Sequence, residues 1–149
     1  MNDDIKYLKH CLELALRGKD KVEPNPMVGA VIVKDNKIIS EGWHEYFGGP
    51  HAEANAIKNS KLNLEGATLY CNLEPCSHTD KKTPPCVPLI IQNKIARVVI
   101  CTLDPNPKVN GNGVKKLIDA GIKVEIGLLE NEAKELNKNY FEQFNCKNV

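Results

Sequence analysis

The chain reads as a single three-layer α/β/α domain on a mixed five-stranded sheet, with an antiparallel hairpin beside strands that run parallel. Three observations predict this. Val28 to Val33 is an unbroken apolar run followed by Asp35-Asn36 and then Ile38-Ile39, the pattern of two strands joined by a tight turn. Farther along, short strand-like segments at 67–71, 97–101 and 123–127 are separated by helix-patterned stretches, and a helix between two close strands implies a right-handed crossover and a parallel pair. At 149 residues the chain is the size of one ordinary domain with room for a core.

The elements follow in order. Ile5, Leu8, Leu12, Ala15 and Leu16 recur at helical spacing behind Asn2 and Asp3 as capping residues, and Gly18 stops this first helix. The hairpin comes next. Gly48-Gly49-Pro50 cannot lie inside a helix, so the good helix formers from Ala52 to Lys58 start a second helix with His51 at its N-terminus. Ala67 to Cys71 is the third strand. Pro84, Pro85 and Pro88 crowd the start of a third helix running through Ile91, because proline is tolerated only in the first turn. Cys86 therefore also sits at a helix start, where the dipole favours a thiolate. Arg97 to Cys101 is the fourth strand, Val114, Leu117 and Ile118 form a helix stripe ended by Gly121, and Lys123 to Gly127 is the fifth strand. Ala133, Leu136, Tyr140 and Phe144 predict one last amphipathic helix. Open sheets of this kind bind ligands beyond the carboxyl ends of their strands. The loops there carry Glu74 to Thr83 and Thr102 to Asn112.

Composition narrows the partners. Twenty basic against 19 acidic side chains give a net charge of +1, too weak a field to hold a polyanion over a large footprint. A small substrate is expected, and no nucleic acid. The opening Met1-Asn2-Asp3-Asp4 is not a signal segment and no long apolar run follows, so the sequence predicts a cytoplasmic protein with reduced thiols and no membrane contact. In that setting paired Pro-Cys motifs read as metal ligands before disulfides. Cys11, Cys71 and Cys101 fall in apolar segments and read as small buried hydrophobes, and Cys146 lies in the tail.

Chemistry concentrates in His51-Ala52-Glu53, Pro75-Cys76 and Pro84-Pro85-Cys86. One imidazole and two thiolates are ligands that zinc prefers, and three protein ligands leave a fourth tetrahedral position for water. A structural zinc would want a fourth ligand and would have no use for Glu53. A carboxylate beside a zinc-bound water can instead carry protons from the water to a ring nitrogen and a departing amine. This is the H-x-E and P-C pattern of zinc deaminases acting on nucleobases. Here, however, nine residues rather than two separate the cysteines.

These motifs, with Asn25-Pro26-Met27-Val28-Gly29-Ala30-Val31, Leu73-Glu74-Pro75-Cys76-Ser77-His78, Thr83-Pro84-Pro85-Cys86 and Asp104-Pro105-Asn106-Pro107, resemble the pyrimidine deaminases of riboflavin biosynthesis over nearly the whole chain. The resemblance implies a cytidine-deaminase-like fold and one zinc per chain held by His51, Cys76 and Cys86, with Glu53 as proton shuttle. It implies a pyrimidine ribonucleotide substrate whose base and ribose meet Asn25, His44, His78, Asp104 and Asn106. The phosphate would meet Lys82 and Thr83. The cysteine loop is one residue longer than the family form, so Lys81 could take the place of Lys82. It further implies a homo-oligomer. Bacterial members usually continue into a reductase domain, whereas residues 1–149 are expected to form a deaminase domain alone, with any reductase on a separate chain unless this sequence is a fragment of a longer one. The rival readings are a cytidine, deoxycytidylate or guanine deaminase of the same fold, and a non-catalytic zinc-stabilised binding module.

Overall fold

The structure, a computed structural model, describes residues 2–76 and 85–145. Along the chain run α1 (Asn2–Leu16), β1 (Gly29–Lys34), β2 (Lys37–Trp43), α2 (Ala52–Asn59), β3 (Thr68–Cys71), α3 (Cys86–Gln92), β4 (Arg97–Ile100), α4 (Asn112–Asp119), β5 (Lys123–Ile126), α5 (Glu130–Leu136) and α6 (Lys138–Asn145). The strands form a five-stranded sheet in the order β2-β1-β3-β4-β5. β1 is antiparallel to both neighbours, while β3, β4 and β5 run parallel. Fold class and mixed sheet are those the sequence predicts. Between β1 and β2, Asp35 and Asn36 both have positive φ, 53° and 64°, as a two-residue type I′ turn demands.

Alternate residues of the central strands feed two separate cores. Ala30, Ile32, Leu69, Cys71, Val98 and Ile100 pack with Ala52 and Ala56 of α2, Val87 and Ile90 of α3, and Leu117 of α4. Val31, Val33, Tyr70, Val99 and Cys101 pack with Tyr7, Leu8, Cys11 and Leu14 of α1 and Ala133 of α5. A strand covered on both faces has no polar side, which is why the sequence of β1 is apolar without alternation.

Three elements depart from expectation. In α1 the buried stripe is Asp4, Tyr7, Leu8, Cys11, Leu14 and Ala15, whereas Leu16 is exposed. The helix is rotated because Asp4 is drawn inward: Tyr70 Oη donates to its Oδ1 at 2.6 Å, and Arg97 Nη2 reaches its Oδ2 at 2.6 Å. The last helix is two helices. Asn137 sits between α5 and α6 with φ −110° and ψ 36°, buried, its side chain bonded to the backbone of Met27. Ile118, placed in the α4 stripe by periodicity, is exposed.

α2 lies close over β2. A Cβ at Gly42 would stand 2.5 Å from the backbone nitrogen of Ala56, and Ser40 Oγ donates to Ala56 O at 2.5 Å. This contact fixes where α2 begins, and so where His51 stands. Among the described residues no helix is long and apolar enough to cross a membrane.

Candidate active site

His51 precedes α2 with extended backbone, and Glu53 occupies the first turn. β3 leaves the sheet at Cys71 and reaches Cys76 through Asn72 to Pro75, while Pro85 precedes α3 and Cys86 opens it. The three elements converge. His51 Nδ1 lies 3.3 Å from Cys76 Sγ and 3.6 Å from Cys86 Sγ, and the three ligand atoms all fall within 4.8 Å of one another. Ligands bound at about 2.0 Å and 2.3 Å to one tetrahedral centre stand roughly 3.5 Å apart, so this donor set fits zinc in both chemistry and spacing. Glu53, only 3% exposed, brings Oε1 to 3.9 Å from Cys86 Sγ, beside the cluster.

The two sulfurs divide their charge unevenly. A hydrogen bond from the Cys86 thiol, then the neighbouring His51, pulls Cys76 down to about 4. Cys86 is pushed well above the ordinary thiol range, first by that bond to Cys76 and then by burial. The backbone N–H of Cys86 at the start of α3 donates to Cys76 Sγ at 3.3 Å. The start of α3 thus serves both sulfurs, carrying Cys86 and donating its first N–H to Cys76. Cys11, Cys71 and Cys101 are buried in the cores, as expected, and burial raises all three, Cys101 to about 12.

A cleft of about 430 Å³ opens from the cluster, lined by His51, Glu53 and Cys76 at one end and by Asn25, His44, Asp104 and Tyr140 farther out, with Pro26, Val28 and Leu73 as apolar wall. His44 is set by its bonds. Its Nδ1 lies 2.9 Å from Pro50 O, which assigns the proton there, so Nε2 accepts from Asn25 Nδ2 at 3.1 Å. Its ring stands edge-on to that of His51, centroids 5.4 Å apart. Of the residues singled out from sequence, Asn25, His44, His51, Glu53, Cys76 and Asp104 share this cleft, and Cys86 completes the cluster behind it. Asn106 stands off the lining, its backbone N–H donating to Asp104 Oδ1 at 2.9 Å and its Oδ1 accepting from Lys108 N at 3.0 Å. His78, Lys82 and Thr83, with the alternative Lys81, lie outside the described residues.

Five residues that organise the site went unassigned at the sequence level. Glu74, 3% exposed, is a staple: Oε1 accepts from the backbone N–H of Asp104 at 3.1 Å and of Gly111 at 3.0 Å, and Oε2 accepts from Val114 N at 3.1 Å. It caps α4 and ties the strand that delivers Cys76 to the loop that delivers Asp104. Gly113 lets the loops touch, since a Cβ there would lie 2.3 Å from Pro75 O. Asn137 binds Met27 at both ends, accepting from its N–H at 2.7 Å and donating to its carbonyl at 2.8 Å, and Asn72 adds bonds to Met27 O and Gly29 N. Tyr140, read from sequence only as part of an apolar stripe, lines the cleft and donates to Asp104 Oδ1 at 2.8 Å. The glutamate beside Pro-Cys was the one available signal, and it pointed to a role without saying which.

Comparison with known proteins agrees with this geometry. Residues 1–102 match the model of the cytidine and deoxycytidylate deaminase zinc-binding region. The diaminohydroxyphosphoribosylamino-pyrimidine deaminase of Buchnera aphidicola subsp. Acyrthosiphon pisum is 48% identical over 95% of both chains. Riboflavin biosynthesis protein RibD of Aquifex aeolicus is 51% identical over 93% of this chain, but the match spans only 38% of that protein. The crystal structure of a diaminohydroxyphosphoribosylaminopyrimidine deaminase/5-amino-6-(5-phosphoribosylamino)uracil reductase from Thermotoga maritima superposes with a TM-score of 0.93 at 49% identity, covering 98% of this chain and 42% of that one. With a zinc ligand cluster, an adjacent buried carboxylate and a relative matched from end to end, the chain belongs to the cytidine and deoxycytidylate deaminase zinc-binding family, in its diaminohydroxyphosphoribosylaminopyrimidine deaminase branch.

Proposed function

We propose that this chain hydrolytically deaminates 2,5-diamino-6-ribosylamino-4(3H)-pyrimidinone 5′-phosphate to 5-amino-6-ribosylamino-2,4-pyrimidinedione 5′-phosphate and ammonia, a step of riboflavin biosynthesis, with one zinc per chain. The observation that carries this reading is the convergence of His51, Cys76, Cys86 and Glu53 at a cleft that Asn25, His44 and Asp104 also line.

His51, Cys76 and Cys86 would hold the zinc, which when bound supplies Lewis acidity and lowers the pKa of water to about 7. Glu53 takes the proton of the attacking water, passes it to the ring nitrogen next to the amine-bearing carbon, and carries a second proton to the amine. The carbon–oxygen bond forms, the carbon–nitrogen bond breaks and ammonia departs. Burial keeps the Glu53 carboxylate close to its partners and away from bulk water, so one group serves each transfer in turn. Asn25, oriented by its bond to His44, and Asp104 offer a donor and acceptors to the edge of a pyrimidinone and its ribose. Lys82 and Thr83, or Lys81, meet the phosphate, and Asn106 acts on the base through Asp104. Residues 1–149 serve the deamination step.

The direct test is ammonia release from the diaminopyrimidine nucleotide with and without a chelator. Chelator-sensitive release is expected. Turnover of cytidine or deoxycytidylate, with none of the diaminopyrimidine nucleotide, would replace this reading with that of a different deaminase.

A further inference from the structure

We propose that Tyr140 is a substrate-positioning residue of the cleft and that it acts by holding Asp104. The proposal rests on reading the cleft as a pyrimidine nucleotide site. Tyr140 lies beyond the residues that the family model matches, and it reaches the cleft only because Asn137 divides α5 from α6. A single continuous helix through that position would carry Tyr140 elsewhere.

Asp104 is 6% exposed, and its carbonyl oxygen accepts from Asn110 Nδ2 at 2.9 Å. Its backbone N–H is bound by Glu74 Oε1 at 3.1 Å, and its Oδ1 receives both the Tyr140 hydroxyl at 2.8 Å and the Asn106 N–H at 2.9 Å. One of those donors belongs to Asp104's own turn and the other arrives from 36 residues away, so together they set the plane of the carboxylate. The hydroxyl is itself anchored. The Tyr140 ring packs edge-on against Phe144 at 5.3 Å and Phe141 at 6.1 Å, which leaves it little freedom to swing. Burial, then the nearby Asp104, raises the phenol far above its usual value, so it remains a donor across the whole working pH range.

A carboxylate that accepts hydrogen bonds from a flat heterocycle is useful only if its plane is fixed before the ligand arrives. Tyr140 supplies that fixation from outside the cleft's own loop. It grips equally before and during the reaction, so its loss falls on KM and not on kcat.

The test is Tyr140→Phe, which keeps the ring and removes only the hydroxyl, assayed as the zinc-loaded protein with the diaminopyrimidine nucleotide and, in parallel, with deoxycytidylate. The expected result is a KM raised about tenfold, the lower end for a hydrogen bond to a charged group, with kcat within about twofold and zinc content unchanged. Placed in an Asp104→Ala background, the same substitution should change KM less than about twofold, because its partner is gone. An unchanged KM in the single variant overturns the proposal, as does a fall in kcat alone, or a full tenfold effect without Asp104. If deoxycytidylate is the compound turned over, the proposed function fails, and the same comparison on deoxycytidylate decides the role of Tyr140.

Discussion

The molecule buries two polar clusters on opposite faces of one sheet, and they differ in how their charge is balanced. Under α1, Asp4 is bound by Tyr70 and Arg97, and Arg97 turns its Nε to Glu125 Oε2 at 2.6 Å, so carboxylates, guanidinium and phenol satisfy one another. At the starts of α2 and α3, by contrast, the ligand atoms of one imidazole and two sulfurs lie within 4.8 Å of one another, with the Glu53 carboxylate alongside. The first cluster is complete as protein. The second gathers the imidazole and sulfur donors that zinc prefers, a set that a cation completes. Burial and polarity are common to both, so it is this balance that separates an element of architecture from an element of chemistry.

The sharpest challenge to that contrast is Cys86→Ala. It should abolish detectable deamination and release the zinc, read by atomic absorption, whereas retention of a full complement of metal would remove Cys86 from the ligand set. Next in size is Glu53→Gln, expected to lower kcat about a thousandfold while zinc content and melting temperature stay at the wild-type level. Normal turnover would mean that the carboxylate beside the metal does no proton transfer.

On the other face, Asp4→Asn should leave kcat and zinc alone and cost about 2 kcal/mol, a fall in Tm of roughly 6 °C by calorimetry. The hydrogen bond from Arg97 holds the Asp4 carboxyl below its usual value in the folded state. Its contribution is therefore fully present above the unfolded carboxyl value of about 3.9 and is lost as the pH falls through the lower folded value. The gap between wild type and variant should accordingly close below about pH 4. A gap that widened there, or a variant that lost zinc, would undo the division between the two faces. Least of all is expected from Lys134→Ala, which removes a surface pair with Glu130 at 3.5 Å. Both partners are half exposed, and about 0.3 kcal/mol with no change in activity is the expected cost.

What the sequence revealed follows the range of each interaction. His51, Glu53, Cys76 and Cys86 were legible because metal chemistry needs particular side chains at helix starts, and Gly, Pro and helix formers mark those starts locally. The strands were legible because two-sided burial makes them apolar throughout. The rotation of α1 was not, for it depends on Asp4 meeting Arg97, 93 residues away. The break at Asn137 was hidden because Ala133, Leu136, Tyr140 and Phe144 keep helical spacing across it, while its cause, the Met27 backbone, lies 110 residues upstream. Glu74 and Tyr140 were hidden in the same way, each defined by partners on distant loops.

Glu74 deserves a last word for what it does to failure. Its two oxygens clasp three amides on the far loop while its own neighbours lead straight to Cys76, so the metal pole and the recognition wall are joined through a single residue. Neither half can slacken without pulling on the other. Damage here would show itself as sudden collapse of catalysis and metal retention together, never as a gradual drift in which one outlives the other.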